Sequence, residues 1–190
     1  MTRIVLGISG ASGTPLAVRT AEALAERVEL VTVVSDGAKA VMAHETDDRE
    51  ETLTRLEDLS IATYDEDEIA ASIASGSAPV DGMAIVPASM NTIAAVASGR
   101  SDTLLRRAAD VCLKERRPLV VVPRETPLSE IHLRNLHDLS RLGVDVVPPT
   151  VSFYHDPQDL DDLLDHLAGK VLERFDLEHD LYEPWGDLDG

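Results

Sequence analysis

The segment Arg3–Gly13 reads R-I-V-L-G-I-S-G-A-S-G, an apolar run that ends in glycines and serines, and a helix-forming stretch starts at Thr14. Glycine lets a backbone come close to an anion, and a helix N-terminus offers unpaired N–H groups and partial positive charge. Such a turn can cradle a phosphate; it can equally be a tight βα turn that simply packs well. Gly7, Gly10 and Gly13 recur every third residue. That is neither the order of a nucleotide-binding P-loop nor the G-x-G-x-x-G of a dinucleotide site.

Four further stretches carry chemistry-bearing side chains. Pro87-Ala-Ser89-Met90-Asn91-Thr92 follows an apolar run and opens a helical one. Its hydroxyls and amide can cap the helix, or they can bind a phosphate or a polar heterocycle. Arg107 and Lys114 share one helix face two turns apart, and Arg116 and Arg117 follow at the helix end. Cations at a helix C-terminus complement its dipole, which accounts for the last two but less well for Arg107. Pro123-Arg124-Glu125-Thr-Pro127 sets an arginine suited to a phosphate or a flavin edge beside a glutamate able to donate a proton. The pair can also be a surface ion pair. Pro148-Pro-Thr-Val-Ser-Phe153-Tyr154 is a rigid loop ending in aromatics, with Lys170 on the last helical segment.

The elements that must position these groups alternate. Strands are expected at Ile4–Ile8, Glu29–Val34, Met83–Val86, Leu119–Val122 and Val144–Val147. Helices are expected at Thr14–Arg27, Asp36–Ala43, Arg49–Leu56, Met90–Ala97, Thr103–Glu115, Ser129–Leu142 and Leu160–Phe175. Several strand segments are apolar throughout, as in a parallel sheet covered on both faces. The pattern predicts an α/β fold: a three-layer, Rossmann-like or flavodoxin-like open parallel sheet with helices on both faces. Ligands of such sheets bind in the loops after the strands. The chain reads as a single domain over 1–175 with an acidic tail, 176–190, that is either loose or docked on a neighbour.

Composition narrows the function further. Lys plus Arg is 17 against 35 Asp plus Glu, a net charge of −18. Nucleic-acid binding is excluded as a working hypothesis, and self-repulsion of this size calls for screening salt. A cytoplasm rich in salt, as in a halophile, is expected; the alternative is an ordinary acidic protein, which this composition also fits. No stretch nears the roughly 18 apolar residues of a membrane span, and the first residues read as a strand rather than a secretory signal. The lone cysteine, Cys112, allows no internal disulfide or cysteine-based metal site and reads as a buried spectator.

Taken together, the loops resemble the UbiX-type flavin prenyltransferases. The matching pieces are Gly7–Gly13, Asp67–Ser77, Pro87–Thr92, Arg107–Leu119, Pro123–Leu128 and Pro148–Tyr154, in one order along nearly the whole chain. The resemblance implies a dodecamer that binds FMN between subunits. It implies metal-independent transfer of the dimethylallyl group from dimethylallyl phosphate to reduced FMN, at N5 and then C6. The prenylated FMN would serve a UbiD-type decarboxylase.

Carried over, Gly10, Ala11 and Ser12 meet the FMN phosphate region. Ser35, Ser89, Met90, Asn91 and Thr92 contact flavin, and Arg124 completes that site. Arg107, Lys114, Tyr154 and Lys170 hold the prenyl phosphate, and Trp185 matches a tail tryptophan that packs near a neighbouring active site. Glu125 assists phosphate departure by proton donation, with Glu45 a second acidic candidate; Lys114 and Ser12 complete the implied catalytic set. Some members carry lysine where Asn91 stands and arginine where Lys170 stands, and the second change replaces a forked phosphate contact by a single one. Two rivals remain: an FMN-dependent cysteine decarboxylase of the same fold and a non-catalytic FMN-binding protein. The first needs a histidine before the Met83 strand, and Ile69–Gly82 contains none. The second gives no reason for Lys114, Glu125, Tyr154 and Lys170 to converge.

Overall fold

In a computed structural model, which describes residues 2–186, six parallel strands form one sheet. They are β1 (Arg3–Ile8), β2 (Glu29–Val34), β3 (Ala62–Asp65), β4 (Gly82–Ala88), β5 (Leu119–Pro123) and β6 (Asp145–Val146). Their order is β3-β2-β1-β4-β5-β6. The chain thus winds outward from β1 in one direction and returns to β4 to wind in the other. Seven α-helices are described: α1 (Thr14–Ala25), α2 (Asp36–Glu45), α3 (Arg49–Leu59), α4 (Met90–Ala97), α5 (Leu104–Glu115), α6 (Glu130–Arg141) and α7 (Leu160–Leu172).

The two faces of the sheet carry separate cores. Ile4, Leu6 and Ile8 point to one face and meet Leu16 and Leu24 of α1, Met42 of α2, Leu56 of α3 and Val171 of α7. Val5, Met83 and Ile85 point to the other and meet Ile93 of α4, Leu105 and Cys112 of α5 and Leu139 of α6. Covering on both faces explains why β4 and β5 are buried along their whole lengths. The fold is the three-layer, flavodoxin-like α/β sheet that the alternating pattern predicts. Cys112 is buried and unbridged, and burial pushes its thiol up to about 11, as befits a spectator.

The differences from the sequence-based expectation have local causes. The sequence pattern does not predict β3, because Ala-Thr-Tyr-Asp has no apolar run; it is a part-buried edge strand that pairs with β2 alone among the described strands. β6 pairs only with β5 and is shorter than the apolar stretch Val144–Val147. The last helix gives way to a 3₁₀ turn, Glu173–Phe175.

Six of the seven helices begin with a Ser, Thr or Asp whose side chain accepts from a backbone N–H of the first turn: Ser35, Asp48, Ser89, Thr103, Ser129 and Asp159. The exception is α1. Its cap is Gly13, at φ 134°, a conformation that a residue with a Cβ rarely adopts, and it has no capping side chain of its own.

The described part of the tail, residues 176–186, lies against this same chain. Leu177 and Leu181 join the core under α1 and α7. The Tyr182 ring packs on His166, lies beneath the Lys170 ammonium at 4.8 Å and hydrogen-bonds Glu173 through its hydroxyl. Gly169 leaves room for this path, since a Cβ there would stand 2.6 Å from Tyr182 and 2.7 Å from His179. Residues 187–190 of the expected tail lie outside the described residues.

Candidate active site

The strand order reverses between β1 and β4, and ligands of open α/β sheets bind at such a point. The turns after β1, β2 and β4 are drawn together there. The Ser9 hydroxyl donates to the Pro87 carbonyl at 2.8 Å and accepts from the Ser89 N–H at 2.7 Å, which ties the β1 turn to the β4 loop. Ser9 is 1% exposed. The glycine spacing of the turn gives no sign of this role. Its position directly after an apolar strand, facing a second strand-end serine, was the available signal. On the other side, the Ser35 N–H donates to Ile8 O. Gly10 and Gly37 touch backbone to backbone, and a Cβ on Gly10 would come within 2.9 Å of Gly37. The β5 loop joins through Arg124 N–H to Ala88 O, at 3.1 Å.

Gly10, Ala11, Ser12, Ser35, Ser89, Met90, Asn91, Thr92 and Arg124 therefore border one edge of a single chain. Ser35 and Ser89 each cap a helix, α2 and α4, and Ser89 also donates to the Thr92 hydroxyl at 3.0 Å. Asn91, Ser12 and the Arg124 side chain are exposed, whereas Ala11 and Thr92 are buried. This donor set, with two helix N-termini and one arginine, fits a phosphate and a planar polar heterocycle, the two halves of FMN.

The N-terminus of α1 already holds an anion, and it is the chain's own. Glu45, the last residue of α2, accepts from Gly13 N–H at 2.9 Å and from Thr14 N–H at 2.8 Å. It supplies the cap that Gly13 lacks. Burial alone would raise the Glu45 pKa, but hydrogen bonds from Ser12, Gly13 and Thr14 outweigh it and hold the carboxyl below its ordinary value. Above this carboxylate opens a hollow of about 350 Å³, walled by Pro15, Leu16, Leu160 and Leu164 with Ser12 and Glu45 at its polar end. A larger groove of about 630 Å³ runs beside it between α1, α3 and α7. Ion pairs of Arg19 with Asp165 and Arg55 with Glu22 line that groove, and the strand-end loops do not reach it.

The four residues expected on the prenyl phosphate do not meet within one chain. Arg107 and Lys114 lie on α5, on one side of the sheet. The Arg107 guanidinium donates to Ala74 O at 3.0 Å and pairs with Asp110 at 2.6 Å, and Lys114 pairs with Glu115. Tyr154 and Lys170 lie with α7, on the other side. Lys170 pairs with Glu173 at 3.1 Å, while Tyr154 packs edge-on against Trp185 with ring centres 5.4 Å apart. Trp185 itself is 78% exposed. Glu125 is exposed at the end of β5, where its carboxylate accepts from Thr126 N–H at 2.9 Å. Among the described residues no group of His, Cys, Asp and Glu is arranged to hold a metal ion, and no helix is long and apolar enough to cross a membrane.

Comparison with known proteins agrees with this geometry. The family model described as Flavoprotein matches residues 1–172. The flavin prenyltransferase LpdB of Lactiplantibacillus plantarum is 49% identical, over 97% of this chain and 98% of its own length. The crystal structure of AnUbiX in complex with FMN and dimethylallyl pyrophosphate superposes with a TM-score of 0.93 at 42% identity, covering 97% of both chains. A dodecameric FMN-dependent UbiX-like decarboxylase from Escherichia coli O157:H7 gives a TM-score of 0.92 at 42% identity, over 97% of this chain and 99% of that one. Identity at this level along the full length, on the same sheet, places the chain in the flavoprotein family as a UbiX-type flavin prenyltransferase.

Proposed function

We propose that the protein transfers a dimethylallyl group from dimethylallyl phosphate to reduced FMN. The observation that carries this reading is the 49% identity with a flavin prenyltransferase along nearly the whole chain. When bound, reduced FMN supplies the nucleophilic positions N5 and C6 that receive the prenyl group. The chain's own residues do the rest. The Ser35 and Ser89 loops with Arg124 seat the flavin. The hollow over Ser12 and Glu45, walled by Pro15, Leu16, Leu160 and Leu164, takes the apolar dimethylallyl group.

Cleavage of the allyl–oxygen bond spreads positive charge over the prenyl carbons and negative charge over the phosphate. A carboxylate kept ionised beside an apolar hollow is suited to the first, so Glu45 acts as an anion rather than as a second proton donor. Arg107, Lys114, Tyr154 and Lys170 balance the second, and Glu125 gives the departing phosphate a proton. A monophosphate needs less neutralisation than a diphosphate, so side chains suffice in place of a metal.

Because α5 and α7 flank opposite faces of the sheet, the phosphate site needs residues from more than one copy. That supports an oligomer on the pattern of the dodecameric relative, with FMN held between subunits and Trp185 facing a neighbour. The product goes to a UbiD-type decarboxylase. The net charge of −18, with only three lysines, supports work in a salt-rich cytoplasm.

Mass spectrometry of the flavin tests this reading. After anaerobic incubation with reduced FMN and dimethylallyl phosphate in high salt, the flavin is expected to be heavier by one prenyl unit. Unmodified flavin, with the protein shown to be folded, would sink it. The same reaction at low salt is expected to be slower, and equal rates would contradict the salt-rich setting.

A further inference from the structure

Three of the groups around Tyr154 have no part in the mechanism above. His166 is 5% exposed on α7, a helix whose first turn carries Asp161 and Asp162. Its Nε2 stands 3.1 Å from the Ser152 hydroxyl and 3.2 Å from the Tyr154 hydroxyl. Ser152 in turn lies 3.3 Å from His155 Nδ1, and the two imidazoles stack with centres 4.8 Å apart at 9°. His166 Nδ1 and His155 Nε2 are buried without a partner. A row of one buried histidine with a half-buried histidine and serine, two of its ring nitrogens enclosed without partners and leading to one phenol, is costly unless the phenol must be aimed.

We propose that His166 is a positioning residue for the phosphate of the prenyl donor, holding Tyr154 so that its phenolic proton is free for a phosphate oxygen. This rests on the assignment of Tyr154 to that phosphate. Hydrogen placement follows from the geometry. With its proton on Nε2, His166 donates to the Tyr154 and Ser152 oxygens, and Ser152 donates onward to His155 Nδ1. Of the two hydroxyls, Ser152 has then spent its hydrogen on His155, whose own N–H is enclosed at Nε2, and the Tyr154 O–H is the hydroxyl hydrogen left for whatever anion docks there. With the proton on Nδ1 instead, the phenol would spend its hydrogen on His166 and lose it for the phosphate.

The surroundings keep the imidazole neutral, as this role requires. Burial lowers the His166 pKa first, and the His155 ring and the Lys170 ammonium lower it further, against an opposing pull from Glu173. The Tyr182 ring of the tail covers it edge-on at 4.7 Å, and His179 stands behind that ring at 5.3 Å. The Trp185 ring holds the phenol from its other side.

The test uses the FMN-loaded oligomer. His166→Phe keeps a ring in the stack and removes the nitrogen; His166→Gln returns an N–H donor. One hydrogen bond to an anion-binding group corresponds to roughly three- to tenfold in affinity. His166→Phe is expected to raise the KM for dimethylallyl phosphate and the Kd for inorganic phosphate by that factor, with FMN affinity unchanged and His166→Gln largely restoring both. In a Tyr154→Phe background the same change is expected to add nothing. Wild-type phosphate affinity in His166→Phe, or an additive effect with Tyr154→Phe, would overturn the proposal. If His166→Phe does not fold, His166→Met, which also lacks an N–H donor, takes its place with the same two readouts. Phosphate binding is read without turnover, so absence of prenylated flavin in the wild type would defeat the prenyltransferase reading without settling His166.

Discussion

Glu45→Gln is expected to lower the rate of prenyl transfer about a hundredfold, while the protein still folds and binds FMN. Among the described residues the carboxylate is the one charge that lines the hollow, and removing a preorganised charge from a developing ion costs on the order of 10²–10³ in rate. The glutamine oxygen can still accept from Gly13 and Thr14 N–H, so α1 keeps a cap but loses the negative charge at its positive end. That loss is expected to cost about 1 kcal/mol of stability at neutral pH, solvent screening keeping it at the modest end.

The sign of the pH dependence follows from the lowered pKa of Glu45 in the folded protein. The stabilisation is complete above the ordinary carboxyl value of 4.5 and fades as pH falls through the lower folded value. Denaturation curves of wild type and Glu45→Gln should therefore converge in acid. Curves that stay equally separated through that range would remove the charge from the explanation. A variant with wild-type turnover would remove the carboxylate from the chemistry.

Glu125→Gln is expected to act on the other half of the same bond cleavage. A positioned proton donor contributes about 10²–10⁴ in rate, so kcat should fall at least about a hundredfold. FMN affinity should not change, because the Glu125 carboxylate accepts a hydrogen bond within its own loop, from Thr126 N–H, and the flavin loops are tied by Ser9, Gly10 and Arg124. Single-turnover measurements at saturating dimethylallyl phosphate separate the step from binding. A rate equal to wild type there would take the acid role from Glu125. A loss confined to KM would turn it into a phosphate-loop residue.

What the sequence made legible depends on whether the signal was local. β1, β2 and β5 are rich in Val, Ile and Leu, β4 is the apolar run Met-Ala-Ile-Val, and α4 sits between a capping serine and a glycine. These were readable because burial on both faces writes itself into consecutive residues. β3 was not, since an edge strand buries little and needs no apolar run. At the site, the loops after the strands were found from position alone. Who caps whom was not. The Gly7–Gly13 turn reads as an open anion cradle, and only the fold shows that Glu45, 31 residues beyond Thr14, closes the end of it. His166 was hidden for a similar reason. An amphipathic helix shows which side is apolar, but not that a later tail will lie across its polar side and bury an imidazole.

The placement of Arg107 and Lys114 on one face of the sheet, and of Tyr154 and Lys170 on the other, has a consequence in mass action. If each phosphate site is assembled from several copies, catalytic competence is a property of concentration as well as of sequence. Dilution below the assembly constant would strip activity from every chain at once while leaving each chain folded and its flavin loops intact. Specific activity would then fall steeply with protein concentration, and a cell would switch the reaction off simply by making too little of the enzyme to assemble.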